Sequence, residues 1–183
     1  MKIVILGRDG VINQGSDAHI TSADLYQPLP GSIEAIARLC QKGFTVVIAT
    51  NQPGLSEGHF DLDELEAIHA KLTALVEDAG GSIAAIFYCP HGPEDRCNCR
   101  SPRTGLIDAI EAEFDIGAQG IPMVFDALVD LQAGIEKGCD PIQISSGRKE
   151  ETLVNVSGKS SAEPLQVFDN LEQAASYIIE TYQ

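Results

Sequence analysis

The feature that most constrains this chain is a repeating alternation of short, almost continuously apolar runs with longer amphipathic segments. The runs fall at 2–6, 44–49, 83–88, 121–125 and 141–145, with a weaker one at 165–168. The amphipathic segments fall at 31–42, 61–79, 104–114, 128–137 and 170–181. Runs of strand length that are apolar on both sides, each followed by a helix, predict a parallel sheet covered on both faces. Start and stop signals agree. Pro30-Gly31-Ser32 precedes the first helix and Gly43 follows it, Asp61 or Asp63 opens the second, and Asp169 or Asn170 caps the last. At 183 residues the chain is expected to form one domain over 1–183. A polar loop is expected at 146–163.

In such folds ligand sites form beyond the carboxyl ends of the strands. The polar motifs of this chain all fall there. Gly7–Asn13 follows the first strand and Thr50-Asn51-Gln52 the second; Cys89–Arg103 follows the third and Asp126–Asp130 the fourth. A formal charge of −15 argues against nucleic acid and anionic membrane surfaces. No apolar stretch approaches the roughly 20 residues of a membrane span. The expectation is a soluble, cytoplasmic protein.

Three of the five cysteines lie within eleven positions. Cys89, His91, Cys97 and Cys99 make a complete tetrahedral donor set in a turn-rich loop, the pattern of a closed, structural zinc site. Cys40 and Cys139 read as buried small hydrophobes. Other motifs leave alternatives open. Asp9-Gly10 can be a simple turn after a strand. Thr50-Asn51 can be a helix cap or a phosphate cradle. Asp126 and Asp130 can be helix-start charges, with Asp126 alternatively a hard oxygen donor to an ion such as Mg²⁺.

Taken together, Arg8-Asp9-Gly10-Val11-Ile12-Asn13, Pro30–Ile36, Ala49-Thr50-Asn51-Gln52, Cys89-Pro90-His91, Cys97-Asn98-Cys99-Arg100, and Asp126 with Asp130 resemble one family. It is the heptose-bisphosphate 7-phosphatase family of the haloacid-dehalogenase (HAD) superfamily, related to histidinol-phosphate phosphatases. The resemblance runs from Lys2 to about Thr152. It implies a three-layer, Rossmann-like fold with a zinc loop at 89–100 after the third strand and no large cap domain. It also implies phosphomonoester hydrolysis with Mg²⁺, with Asp9 as acid/base whose carbonyl helps bind the ion. Asp126 would be a Mg²⁺ ligand, and Thr50, Asn51, Arg100 and Arg103 would contact phosphate or substrate.

The family's nucleophilic aspartate, however, is here Gly7. The family's Cys-Arg-Lys-Pro reads Cys99-Arg100-Ser101-Pro102, and Gly-Asp-Lys or Gly-Asp-Ser reads Phe125-Asp126-Ala127. Ser-Gly-Ile-x-Arg-Gly reads Pro53-Gly54-Leu55-Ser56-Glu57-Gly58, exchanging a cation for an anion. A missing nucleophile and missing cations disfavour phosphoryl transfer, which relies on positioning and charge stabilisation. The expectation is a protein of impaired or absent catalysis with a weakened Mg²⁺ site, acting as a binding or regulatory module for a sugar phosphate or a protein partner. The alternative is an active 7-phosphatase of heptose-precursor synthesis for lipopolysaccharide, using Asp9 or water as nucleophile.

Overall fold

The computed structural model describes residues 1–15, 19–145 and 165–182. Six parallel strands form one sheet: β1 (Lys2–Leu6), β2 (Phe44–Asn51), β3 (Ala85–Cys89), β4 (Pro122–Phe125), β5 (Asp140–Ile144) and β6 (Gln166–Phe168). Their order is β3-β2-β1-β4-β5-β6. The helices between them are α1 (Ser32–Gln41), α2 (Leu62–Asp78), α3 (Gly105–Phe114) and α4 (Leu128–Glu136), and α5 (Leu171–Thr181) follows β6. The polar loop expected at 146–163 lies outside the described residues.

The two-residue period of a strand sorts the core into two layers. Val4, Leu6, Val46, Ile48 and Val124 pack with Ile36 and Leu39 of α1, Ile68 and Leu72 of α2, and Ala174 and Ile178 of α5. Their neighbours Ile3, Ile5, Val47, Ala49, Met123 and Phe125 face the other way, onto Ile107 and Ile110 of α3 and Leu131 and Ala133 of α4. Burial on both faces explains why these strands read as unbroken apolar runs.

Helix starts follow local chemistry. Asp61 caps α2 in a reciprocal box: its carboxylate accepts from Glu64 N at 2.9 Å, while Asp61 N donates to the Glu64 carboxylate at 2.8 Å. Asn170, not Asp169, caps α5 by accepting from Gln173 N. At α1 no side chain caps Gly31; Ser32 Oγ instead donates to Ile12 O and Leu29 O, both at 2.8 Å, tying the helix start to the turn after β1. Cys139 is buried as expected, but Cys40 is only half-buried. Its thiol donates to Ser82 O at 3.2 Å on the edge of the core, so it serves as a local tether. No helix among the described residues is long and apolar enough to cross a membrane.

Candidate functional site

β1 pairs with β2 on one side and β4 on the other, so the connections leaving its two neighbours diverge above it. A cleft of about 170 Å³ opens there, lined by Gly7, Asp9, Thr50, Asn51, Asp126 and Asp130 among others. It lies where a doubly wound sheet places its ligands.

Gly7 sits at the floor of the cleft, its N–H donating to Val124 O at 2.8 Å. The Phe125 ring covers it. A β-carbon on residue 7 would stand 2.9 Å from Phe125 Cδ1 and 3.2 Å from Cε1. Register explains the meeting: Leu6 pairs with Val124, so residues 7 and 125 leave adjacent strand ends together. Residue 7 therefore offers no carboxylate, and the Phe125 ring crowds the room for one.

Asp9 is clasped. Arg8 Nε donates to its Oδ1 at 3.0 Å and Arg8 Nη2 to Oδ2 at 3.3 Å. Asn13 Nδ2 donates to Oδ1 at 2.8 Å and Gln52 Nε2 to Oδ2 at 2.9 Å. Arg8, Asn13 and Gln52 are all buried, which makes this a fixed polar network. Asp9 nevertheless keeps a side-chain exposure of 37% and lines the cleft. Arg8 is compensated on its far side by His69, whose Nε2 lies 3.1 Å from Nη1. Burial, with repulsion from Arg8, pulls the His69 pKa down to about 4. The imidazole is thus neutral and its Nε2 accepts. Burial likewise holds the Tyr26 hydroxyl well above its ordinary range.

Asp126 leans on the β1 turn. Gly10 has φ +81°, and a β-carbon there would fall 2.1 Å from Asp126 Oδ2, so only glycine satisfies both the turn and the approach. Asp130 Oδ1 accepts from Asn51 Nδ2 at 2.7 Å. Burial pushes the Asp130 carboxyl up to about 6, and the Asp126 charge adds to the rise against its hydrogen bonds from Ser101 and Asn51. Carboxylates at 126 and 130 beside Asp9 are hard oxygen donors of the kind Mg²⁺ prefers. With Gly7 they offer one anionic ligand fewer than the family pattern implies.

The structure gathers Asp9, Thr50, Asn51 and Asp126 around one cleft; Arg103 lines an adjoining pocket with Thr50 and Asn51, and the Arg100 charge acts on Asp130. Thr50 is buried and its Oγ1 accepts from Gln52. Arg100 Nη1 donates to His91 O at 3.3 Å, and Arg103 Nη1 donates to Cys97 O. Among the described residues lining the cleft, Arg8 is the only cation, and it is committed to Asp9. Glu57 does not face the cleft as a bare anion; its carboxylate meets His19 and His59. The roles of Arg8, Asn13, Gln52 and His69 were not anticipated. Three of these four stand inside the quoted motifs, but only folding shows that they converge on Asp9.

The thiol loop is assembled around its donors. Cys89 Sγ lies 3.1 Å from Cys99 Sγ and 3.7 Å from Cys97 Sγ, and His91 Nδ1 lies 3.3 Å from Cys99 Sγ. All four ligand atoms fall within 4.8 Å of one another. Donors about 2.0–2.3 Å from one tetrahedral ion lie roughly 3.3–3.8 Å apart, so the set suits zinc, with the Cys89–Cys99 pair drawn closer than that range. Arg100 N donates to Cys97 Sγ at 3.3 Å, a contact that suits a thiolate ligand.

A family model described as polynucleotide kinase 3 phosphatase matches residues 9–125. A D-glycero-beta-D-manno-heptose-1,7-bisphosphate 7-phosphatase of Pseudomonas putida is 44% identical over 98% of this chain and 100% of its own. One of the same name from Bordetella bronchiseptica is 49% identical over 84% of this chain and 86% of its own. The crystal structure of D,D-heptose 1,7-bisphosphate phosphatase from B. bronchiseptica, complexed with magnesium and phosphate, superimposes with a TM-score of 0.90 at 43% identity, covering 98% of this chain and 99% of that one.

Proposed function

This chain belongs to the heptose-bisphosphate 7-phosphatase family of the HAD superfamily, and on that footing we propose that its cleft binds a heptose-phosphate type of sugar phosphate with a divalent cation without running the aspartyl-phosphate step. The observation that carries this reading is the Phe125 ring seated on Gly7. Phosphoryl transfer through a covalent intermediate needs a carboxylate at that place. What remains suits binding: Asp126 and Asp130 for Mg²⁺, and Thr50 and Asn51 on the opposite wall for phosphoryl oxygens. When bound, Mg²⁺ would supply charge neutralisation for the phosphate. In this reading zinc fills the Cys89, His91, Cys97 and Cys99 set and orders the loop, without an open position for chemistry. Reduced thiols of this kind imply a reducing compartment such as the cytoplasm.

A second reading is Mg²⁺-dependent hydrolysis of heptose bisphosphate. The names of the relatives support it more directly than they support an inactive protein. It needs either Asp9 or a water molecule as nucleophile, and the clasp of Arg8, Asn13 and Gln52 restrains the first option. Calorimetry with heptose bisphosphate and Mg²⁺, run beside phosphate release, separates the two. Binding without release supports the first reading, and release that disappears in Asp9→Asn supports the second. Neither binding nor release would remove both.

A further inference from the structure

Outside the cleft and the thiol loop, one more group of metal-ligating side chains converges among the described residues. His19, Glu57 and His59 place two imidazole nitrogens and a carboxylate oxygen within 4.8 Å of one another. His19 follows the turn after β1, whereas Glu57 and His59 lie between β2 and α2, so folding and not sequence proximity brings them together.

The distances suit a ligand set. Glu57 Oε2 lies 3.2 Å from His19 Nε2 and 3.4 Å from His59 Nε2. A charge-assisted N–H···O⁻ bond closes to about 2.7–2.9 Å, so both contacts are long for one. Ligands about 2.0–2.2 Å from a tetrahedral ion stand roughly 3.3–3.6 Å apart, close to both values. The two imidazoles also stack, with centroids 4.6 Å apart and planes at 28°.

The surroundings hold these donors in place. A β-carbon on Gly54 would stand 3.0 Å from the His19 ring and 2.4 Å from Phe60, so His19 is seated on bare backbone. Phe60 meets the His19 ring edge-on at 6.2 Å. His59 N donates to Gly54 O at 2.8 Å and Glu57 N to Pro53 O at 3.0 Å, fixing the turn that carries both ligands.

We propose that His19, Glu57 and His59 form a second metal site, for a divalent transition ion of the zinc type. Two imidazoles and one carboxylate favour such ions over Mg²⁺ or Ca²⁺, which prefer all-oxygen sets. Three protein ligands leave a coordination position for water or an anionic oxygen, so the site is open where the thiol site is closed. Side-chain exposures of 28%, 40% and 53% make it an exchangeable surface site.

Titration of the full chain with Co²⁺ tests this, because thiolate–cobalt charge transfer marks the Cys89 site and a His/carboxylate site lacks that band. With excess Mg²⁺ present to hold the cleft, the wild type is expected to take up a second Co²⁺ after the thiolate band saturates. Glu57→Gln, His59→Ala and His19→Ala should each weaken that second uptake by at least about 10-fold, leaving the thiolate band intact as the sign of a folded chain. Saturation at one ion, or second uptake unchanged in the variants that keep the thiolate band, would overturn the proposal.

Discussion

The ring of Phe125 and the α-carbon of Gly7 fit one another: a β-carbon on residue 7 would come within 2.9 Å of Cδ1. They meet because β1 and β4 are paired in register just before them. Two departures from the family pattern that look separate in sequence therefore form one packed unit. Restoring a carboxylate at position 7 alone forces it against an aromatic ring in a close-packed layer.

Gly7→Asp by itself should cost about 1–3 kcal/mol through overpacking, and Phe125→Ala alone about 3–5 kcal/mol through the cavity it leaves. The double variant should be clearly less destabilised than the sum, because each change relieves the other. Urea denaturation of the four proteins of the cycle measures this coupling.

His69 should make the fold acid-sensitive. Its pKa is lowered to about 4 by burial and by Arg8, against an ordinary 6.5. Between those values the unfolded chain binds more protons than the folded one, so stability falls as pH drops from 6.5 to 4. The loss from this group is on the order of 1–3 kcal/mol, discounted for partial exposure. Asp130, raised to about 6, works with the opposite sign over part of the same window. Comparing wild type with His69→Gln isolates the histidine. Subtracting the variant's stability profile from that of the wild type should leave a difference that falls below pH 6.5 and levels off near 4.

Gly10→Ala should be harsher than a usual surface glycine change. The left-handed φ of +81° adds strain of roughly 1 kcal/mol or more, and the new methyl would displace the Asp126 carboxylate. Thermal melts should show a loss of about 2–4 kcal/mol in all, and Mg²⁺ affinity by calorimetry should drop by at least about 10-fold.

Stripping metal from the thiol loop should loosen more than the loop. Gly105 N donates to Asn98 O at 3.0 Å, linking the cluster to the start of α3. Hydrogen exchange in a chelator-treated protein should rise across Cys89–Gly105 while β1 and β2 stay protected, and added Zn²⁺ should reverse it.

Much of this architecture is legible in the chain. The strands and helices lie within two residues of the positions their periodicity predicts, because burial on both faces leaves little ambiguity about the sheet. The zinc-type loop is equally plain, since Cys89, His91, Cys97 and Cys99 sit close in sequence as well as in space. What a linear reading misses depends on side-chain direction and distant pairing. Arg100 and Arg103 read as substrate cations, and the fold also gives each a loop carbonyl to bind, those of His91 and Cys97. The partner of Arg8 lies 61 residues away on α2, and Glu57 reads as a lost cation until folding sets it between two histidines. No periodicity carries that information.

In the proposed reading the Gly7–Phe125 pair abolishes turnover. Phosphate release from heptose bisphosphate with Mg²⁺ tests it most directly, with Asp126→Ala as a control for contaminating activity. Wild type and control should release phosphate at the same background rate. Mg²⁺-dependent release by the wild type that Asp126→Ala abolishes would contradict it.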